Sequence, residues 1–143
     1  MKRGQVNRGH RLRSHTADVI IDAWGPDLAA LCEEAATALV ETYVDRAPDS
    51  DLVETSVEVP AGRPVALVLA VLEEVIFALD TAEAGVPVRV GVAPTRGGLV
   101  MSMALAPPDA VEGTGMVPKA ISRSGLRVDP TGTGWRTEVL VDV

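Results

Sequence analysis

Two stretches of the chain repeat apolar residues at the spacing of an amphipathic helix. The apolar face of the first consists of Leu28, Leu31, Cys32, Ala35, Ala36, Leu39 and Tyr43. Its opposite face, which is expected to be solvated, consists of Glu33, Glu34, Thr37 and Glu41. Asp27 is of a type that caps helix N-termini, and Pro64 suits the start of a second helix that is predicted to end near Leu79. This second helix is expected to be deeply buried, because only Glu73 and Glu74 interrupt its apolar residues.

Alternating apolar and polar residues predict β-strands in the remaining segments. The predicted strands are residues 17–24, 53–59, 86–92, 99–105, 119–128 and 134–143. One face of the first strand carries Asp18, Ile20, Asp22 and Trp24. The two strands in the middle of the list are expected to form a hairpin, and the last two a second strand pair. This order of elements predicts a single α+β domain, with two helices packed on a largely antiparallel or mixed sheet. An α/β fold with two parallel crossovers is the alternative, which the strand-rich second half disfavours.

Length and composition limit the class of protein. With 143 residues, of which 47% are apolar, the chain is expected to form one domain with its own core. Its single cysteine, Cys32, excludes an intramolecular disulfide framework and a cysteine-based zinc cluster, so a reducing, cytoplasmic location is expected. The longest unbroken apolar run, residues 65–72, is too short to span a membrane.

The net charge of −7 is distributed unevenly along the chain. Residues 1–13 contain five basic side chains and no acidic one, and they are predicted to be a flexible leader before a domain over residues 14–143. The remaining residues therefore carry a net charge of −12, which would repel a phosphate backbone. Aromatic residues make up only 3% of the chain, which argues against a stacking platform for single-stranded nucleic acid. Tight direct binding of nucleic acid is accordingly not expected.

Three carboxylates stand among apolar neighbours, where strands and helix ends normally carry apolar residues. They are Asp18, Asp80 and Asp142, and the main-chain carboxylate of Val143 follows the last of them. A carboxylate in such surroundings is costly unless it is paired or bound to a metal. Oxygen ligands of this kind suit a hard divalent cation such as Ca²⁺, Mg²⁺ or Mn²⁺. The alternative is that each aspartate faces solvent or caps a helix. Composition alone favours that simpler interpretation, and spacing alone does not decide between the two.

Several segments resemble the archease family, in the same order along the chain from about residue 14 to its end. They are His15-Thr16-Ala17-Asp18-Val19, Ala23-Trp24-Gly25, residues 72–81 ending in Asp80-Thr81, Lys119-Ala120-Ile121, Gly125-Leu126-Arg127-Val128, Gly134-Trp135-Arg136 and Val139-Leu140-Val141-Asp142-Val143. The first segment alone is weakly specific, whereas its combination with Gly-Trp and the terminal Asp-Val makes the resemblance strong.

The resemblance implies a small α+β accessory protein that activates an RtcB-type RNA ligase in tRNA splicing. Such a protein promotes guanylylation of the ligase and its repeated turnover, and is not itself an enzyme. The family's metal site, carried over to this sequence, implies Asp18, Asp142 and the Val143 carboxylate as ligands of a divalent cation, with Asp80 as a further candidate. His15 and Lys119 are candidates for contact with the partner or a phosphate. Trp24 and Trp135 are interpreted as core residues.

One segment departs from the family pattern. Ser122-Arg123-Ser124 stands where archeases usually carry threonine, an aromatic residue and histidine. This departure supports an alternative hypothesis, a binding module that keeps the archease fold but serves another protein client. A two-metal hydrolase is a third hypothesis, which is disfavoured because the sequence offers neither a separate general base nor a phosphate-binding cluster near these acids.

Overall fold

The computed structural model describes residues 7–15, 18–81 and 85–143, including the backbone but not the side chain of His15. The two helices are α1 (Leu28–Tyr43) and α2 (Pro64–Asp80). The strands are β1 (Gly9–His15), β2 (Asp18–Gly25), β3 (Val44–Arg46), β4 (Val53–Pro60), β5 (Val86–Thr95), β6 (Gly98–Ala106), β7 (Glu112–Gly113), β8 (Ala120–Ile121), β9 (Arg127–Thr131) and β10 (Gly134–Asp142). Neither helix is long and apolar enough, over the described residues, to cross a membrane.

The strands form three antiparallel sheets. The largest has five strands in the order β1-β2-β10-β8, and β9 pairs with another part of β10. A three-stranded sheet has the order β4-β6-β5, and β3 pairs with β7. This architecture confirms the prediction of an α+β domain with two helices on antiparallel sheet. Because every pair of neighbouring strands in the described chain is antiparallel, the alternative with parallel crossovers is wrong.

Helix α1 lies at the centre of the fold, in contact with β2 of the large sheet, with β5 of the three-stranded sheet and with α2. Its N-terminus is capped as predicted, since the backbone N–H of Ala30 donates to Oδ1 of Asp27 at 2.8 Å. The predicted apolar face is the buried one, and Leu31, Cys32 and Leu39 are inaccessible to solvent. Burial raises the pKa of the Cys32 thiol to about 12, which keeps it protonated and unreactive.

The predicted deep burial of α2 is correct for one face only. Leu72 and Val75 are inaccessible to solvent, whereas Val65 is 38% exposed and Phe77 is 65% exposed. The helix packs on α1 and on strands of the two larger sheets, while part of its apolar surface stays exposed. Hydropathy alone does not distinguish a helix packed on one side from one that is packed all round.

The prediction of a flexible leader over residues 1–13 is wrong for residues 9–13, which belong to β1. The strand pairs with β2 along its whole length, from Gly9 opposite Trp24 to His15 opposite Asp18. Arg8 and His10 also form ion pairs with α1, through Glu33, Glu34 and Glu41. The basic start of the chain thus neutralises the acidic face of α1, which is less solvated than predicted. Residues 1–6 lie outside the described residues.

The last predicted strand pair is interrupted. Residues 119–128 form the two-residue strand β8 and the start of β9, which are separated by a turn at residues 122–126. The backbone N–H of Ser122 donates to the carbonyl oxygen of Leu140 at 2.9 Å, so this turn stays attached to β10. As a result β10 pairs with β2 on one side, and with β8 and β9 in succession on the other.

Candidate functional site

Three strands place predicted site residues at one end of the five-stranded sheet. β1 ends there with His15, β2 begins with Asp18, and β10 ends with Asp142. In the strand register, His15 lies opposite Asp18 and Asp18 lies opposite Asp142. The hydrogen-bonding pattern of the sheet therefore brings together residues from the two ends of the chain.

The carboxylates of Asp18 and Asp142 lie on the outer face of this sheet. Their neighbours Val19 and Val141 are 6% and 0% exposed and belong to the core, and successive side chains of a strand point to opposite faces. Asp18 is half-buried and Asp142 is exposed. Residues directly opposite in an antiparallel pair have Cβ atoms about 4.5–5.5 Å apart, and like charges at such positions destabilise the pair. The arrangement therefore favours a neutralising group at this end of the sheet.

Lys119 and Val143 lie beside this pair of carboxylates. The backbone N–H of Lys119 donates to the carbonyl oxygen of Asp142 at 2.7 Å, which fixes the chain before β8 against the end of β10. The Lys119 side chain is exposed. The Val143 side chain packs against the core, so the backbone that follows Asp142 stays at the sheet end.

The donor atoms at this end of the sheet fit a hard divalent cation. They are carboxylate oxygens, and Mg²⁺ in particular is commonly held by one or two carboxylates together with water. Over the described ranges, no group of three histidine, cysteine, aspartate or glutamate side chains could hold a metal ion. A cation would therefore rely on the side chains of Asp18 and Asp142, together with main-chain oxygens and water. Asp80, the exposed last residue of α2, is not grouped with the other two aspartates.

Comparison with known proteins shows the family. The model of the Archease protein family matches residues 10–143. This chain belongs to the archease family. A protein named probable protein archease from Mycobacterium tuberculosis, in two strains, is 36% identical to this archease over 139 residues. That match covers 96% of the chain and 76% of the relative.

Two solved structures share the fold. A crystal structure from Thermotoga maritima, described as an archease and possible chaperone, superposes with a TM-score of 0.67 at 20% identity. The solution structure of Methanobacterium thermoautotrophicum protein 1598 superposes with a TM-score of 0.65 at 22% identity. Each match covers 94% of this archease and 99% of the other chain. Since the family model begins at residue 10, inside β1, the family-like region also starts before the predicted boundary at residue 14.

The segment that departs from the family pattern has a structural role in this archease. Ser122-Arg123-Ser124 opens the turn after β8, and the hydroxyl groups of its two serines lie 3.3 Å apart. The Arg123 guanidinium donates to Oε2 of Glu73 on α2 at 3.1 Å. Through this ion pair the segment ties the turn to the helix, close to the end of β10.

A charged network that the sequence pattern does not predict lies on the same outer face. Asp22 is only 3% exposed, and its carboxylate accepts a hydrogen bond from Nε of Arg13 at 2.9 Å. Arg13 also donates to Glu138 at 3.0 Å, and Arg127 approaches the same glutamate at 3.6 Å. The period of two places Asp22 on the face of Asp18, but the expected leader over residues 1–13 leaves Arg13 outside the sheet. The signal for this network is the basic segment before β2, whose arginines can pair with the acidic residues of a neighbouring strand.

Proposed function

We propose that this archease is a metal-binding accessory protein of an RtcB-type RNA ligase. It would promote guanylylation of the ligase and repeated turnover in tRNA splicing or RNA repair, without catalysing a reaction itself. Family membership supports this role, as does the description of the Thermotoga maritima archease as a possible chaperone. The observation that carries the proposal is the register of the large sheet, which sets Asp18 directly opposite Asp142 on a solvent-facing surface.

The proposed cofactor is a divalent cation, Ca²⁺, Mg²⁺ or Mn²⁺. Asp18, Asp142 and the main-chain carboxylate of Val143 would hold it, and Asp80 remains a further candidate ligand. When bound, the cation neutralises the opposed carboxylates. The protein would position the ligands in two ways. The pairing of β2 with β10 sets the spacing of Asp18 and Asp142, and the Lys119–Asp142 backbone hydrogen bond holds the end of β10.

The proposed partner is a basic, nucleic-acid-binding enzyme. The chain carries a net charge of −7, with its basic start included in the folded domain, and this negative charge would speed encounter with such an enzyme. His15 and Lys119 lie at the end of the sheet that bears the carboxylates, and they are the proposed contacts with the partner or a phosphate. Binding that depends on this charge should weaken as ionic strength rises.

The test is RNA joining under limiting ligase. An RtcB-type ligase would be supplied with GTP, Mn²⁺ and RNA ends that carry a 3′-phosphate and a 5′-hydroxyl, with and without this archease. Repeated turnover is expected with the wild-type protein, and a single round with Asp142→Asn. Glu54→Gln is the matched control, because Glu54 is an exposed strand carboxylate in the three-stranded sheet. Turnover that is unchanged by the wild-type protein would refute the proposed role in ligation.

The alternative is an archease-fold binding module with another protein client and no role in RNA ligation. The observation that favours it is the departure of Ser122-Arg123-Ser124 from the family pattern, in a turn that is hydrogen-bonded to β10 near its end. Under this alternative, cations would stabilise the wild-type protein and not Asp142→Asn, while neither protein would change ligation. The cytoplasmic location expected from the sequence stays a prediction.

A further inference from the structure

A cavity of about 270 Å³ opens at the opposite end of the five-stranded sheet from the paired aspartates. It is lined by Trp24, Trp135, Arg11, Arg136, Thr131 and Thr133, among others. Trp24 lies six residues beyond Asp18 on β2, so the two ends are about 20 Å apart at the rise of a strand. The cavity is therefore separate from the proposed cation site.

The ring of Trp24 is held in place by the neighbouring strands. It lies over Gly9 of β1, where an added Cβ atom would come within 2.7 Å of its Cζ2 atom. The Arg11 guanidinium lies over the same ring, 6.0 Å from its centroid, and Arg136 is directly opposite Trp24 on β10. Trp24 thus lies on the outer face of the sheet and outside the core, in contrast to its interpretation as a core residue.

The rim of the cavity joins the start of β1 to the turn between β9 and β10. The Asn7 side-chain amide donates to Oγ1 of Thr133 at 3.2 Å, across this opening. Trp135 follows the turn and packs partly against the core, as predicted. The cavity therefore has one indole on its outer-face side, a second anchored to the core, and hydroxyl groups at its rim.

Neither arginine of the cavity has a close carboxylate partner among the described residues. Within the described ranges, Arg11 has no carboxylate within 4.0 Å, and Arg136 approaches only Asp22, at 3.9 Å. The Asp22 carboxylate is already bonded to Arg13 at 2.9 Å, and Asp129, the register partner of Arg136, forms no ion pair with it. Two guanidinium groups thus face one cavity in a domain that is otherwise strongly acidic.

Indole rings, guanidinium groups and hydroxyl groups around one cavity are a combination that suits a nucleoside phosphate. Aromatic and arginine side chains stack on bases, and arginine pairs with phosphate through parallel hydrogen bonds. At about 270 Å³ the cavity is slightly smaller than typical ligand pockets, about 300–1,000 Å³, which suits one nucleotide better than a longer strand. We propose that this cavity binds a single nucleoside monophosphate, either free or as the terminal nucleotide of an RNA, with its phosphate on Arg11 and Arg136.

Tryptophan fluorescence gives a direct test, because Trp24 and Trp135 are the only tryptophans of the chain and both line the cavity. The full chain would be titrated with adenosine and guanosine monophosphates, excited where nucleotides do not absorb. Saturable quenching is expected. Arg11→Ala should weaken binding about tenfold, by loss of a charge-assisted contact with the phosphate. Arg89→Ala, which removes an exposed arginine of the three-stranded sheet, should leave the affinity within about twofold, as for a charge outside the site.

The probes separate the parts of the proposal. Adenosine and inorganic phosphate, tested alone, should each bind at least about tenfold more weakly than the monophosphate, since each lacks one half of the contacts. Quenching that does not saturate, inorganic phosphate that binds as well as the nucleotide, or Arg11→Ala that binds like wild type would each overturn the proposal. Arg136→Gln is a second variant if Arg11→Ala fails to fold.

The source of the nucleotide is decided by a short RNA with a terminal phosphate. Tighter binding of this RNA than of the monophosphate identifies an RNA end as the ligand, and equal or weaker binding identifies the free nucleotide. Asp142→Asn should bind nucleotide like the wild type, because the cavity does not depend on the proposed cation. Nucleotide binding at this cavity is therefore independent of the proposed role in ligation.

Discussion

Replacement of Asp142 by asparagine should change stability in opposite directions with and without a divalent cation. Asp142 and Asp18 are directly opposite on β10 and β2, so their Cβ atoms are about 5 Å apart, and this distance is taken for the separation of the two charges. Two like charges at that distance repel by about 0.8 kcal/mol in bulk water, and Asp142 is exposed enough for the solvent value to apply. Without cation, Asp142→Asn should therefore be more stable than wild type by about 0.5–1 kcal/mol.

A bound cation should reverse this order. A ligand present at 100 times its dissociation constant stabilises the folded state by about 2.7 kcal/mol. For a domain of this size, that corresponds to a rise in melting temperature of roughly 5–10 °C. Asp142→Asn lacks one of two carboxylate side chains of the site and should gain only a small part of that rise, which leaves the wild type the more stable protein.

Thermal unfolding followed by circular dichroism, in chelator and then in Ca²⁺, Mg²⁺ or Mn²⁺, measures both effects. Glu54→Gln is again the matched control, and it should respond to cation as the wild type does. If Asp142→Asn gains as much as the wild type from every cation, the assignment of the site is wrong. If the variant is no more stable than wild type in chelator, the calculated repulsion between the two carboxylates is wrong.

Three further predictions concern the fold. Burial lowers the pKa of His10, but hydrogen bonds to Glu34 and Glu41 outweigh this effect and raise the pKa overall. The attachment of β1 to α1 should therefore be strongest below about pH 6.5 and should weaken as the pH rises through the raised pKa. Amide exchange of β1, corrected for intrinsic rates, should show this pH dependence in the wild type and not in His10→Gln. Gly98→Ala should destabilise the protein by more than about 2 kcal/mol, because Gly98 has a φ of +147° and the added Cβ atom would lie 2.1 Å from a backbone oxygen. Gly97→Ala, the control, should change stability by less than about 0.5 kcal/mol. Equal losses of stability in urea denaturation would contradict the turn geometry. Leu72→Ala should lose about 2–5 kcal/mol in the same assay and Phe77→Ala less than about 0.5 kcal/mol, although both residues belong to α2.

Elements whose structure is decided by residues close in the sequence could be predicted from the sequence alone. The Asp27 cap and the 3.6-residue spacing after it located α1, and alternation around a glycine turn located the hairpin of β5 and β6. Strand β1 could not be predicted from the sequence, because its mostly charged and polar residues show little alternation with apolar ones. What orders it is the ladder to β2 and the ion pairs with α1, which begins 13 residues beyond the end of β1.

The candidate site could be predicted only in part for a related reason. Asp18 and Asp142 stood out as acids within apolar segments, but nothing in their spacing shows that one lies opposite the other. The pairing of Asp18 with Asp142 depends on strand order and register. These are determined by the burial of the apolar faces of several strands at once. The same holds for the cavity at the other end, where Arg11 and Trp24 face each other only because β1 joins the sheet.

The position of β10 in the sheet has a consequence for biosynthesis. Strand β2 pairs with a strand that lies more than a hundred residues later in the sequence. At a synthesis rate of about 5–20 residues per second, one edge of β2 would wait roughly 5–25 seconds for its partner. During that interval its Val19 and Ile21 lack the neighbours on β10 that they have in the complete sheet. During this interval the unpaired edge of β2 exposes the nascent chain to aggregation, and both ends of the sheet are completed only when β10 has been made.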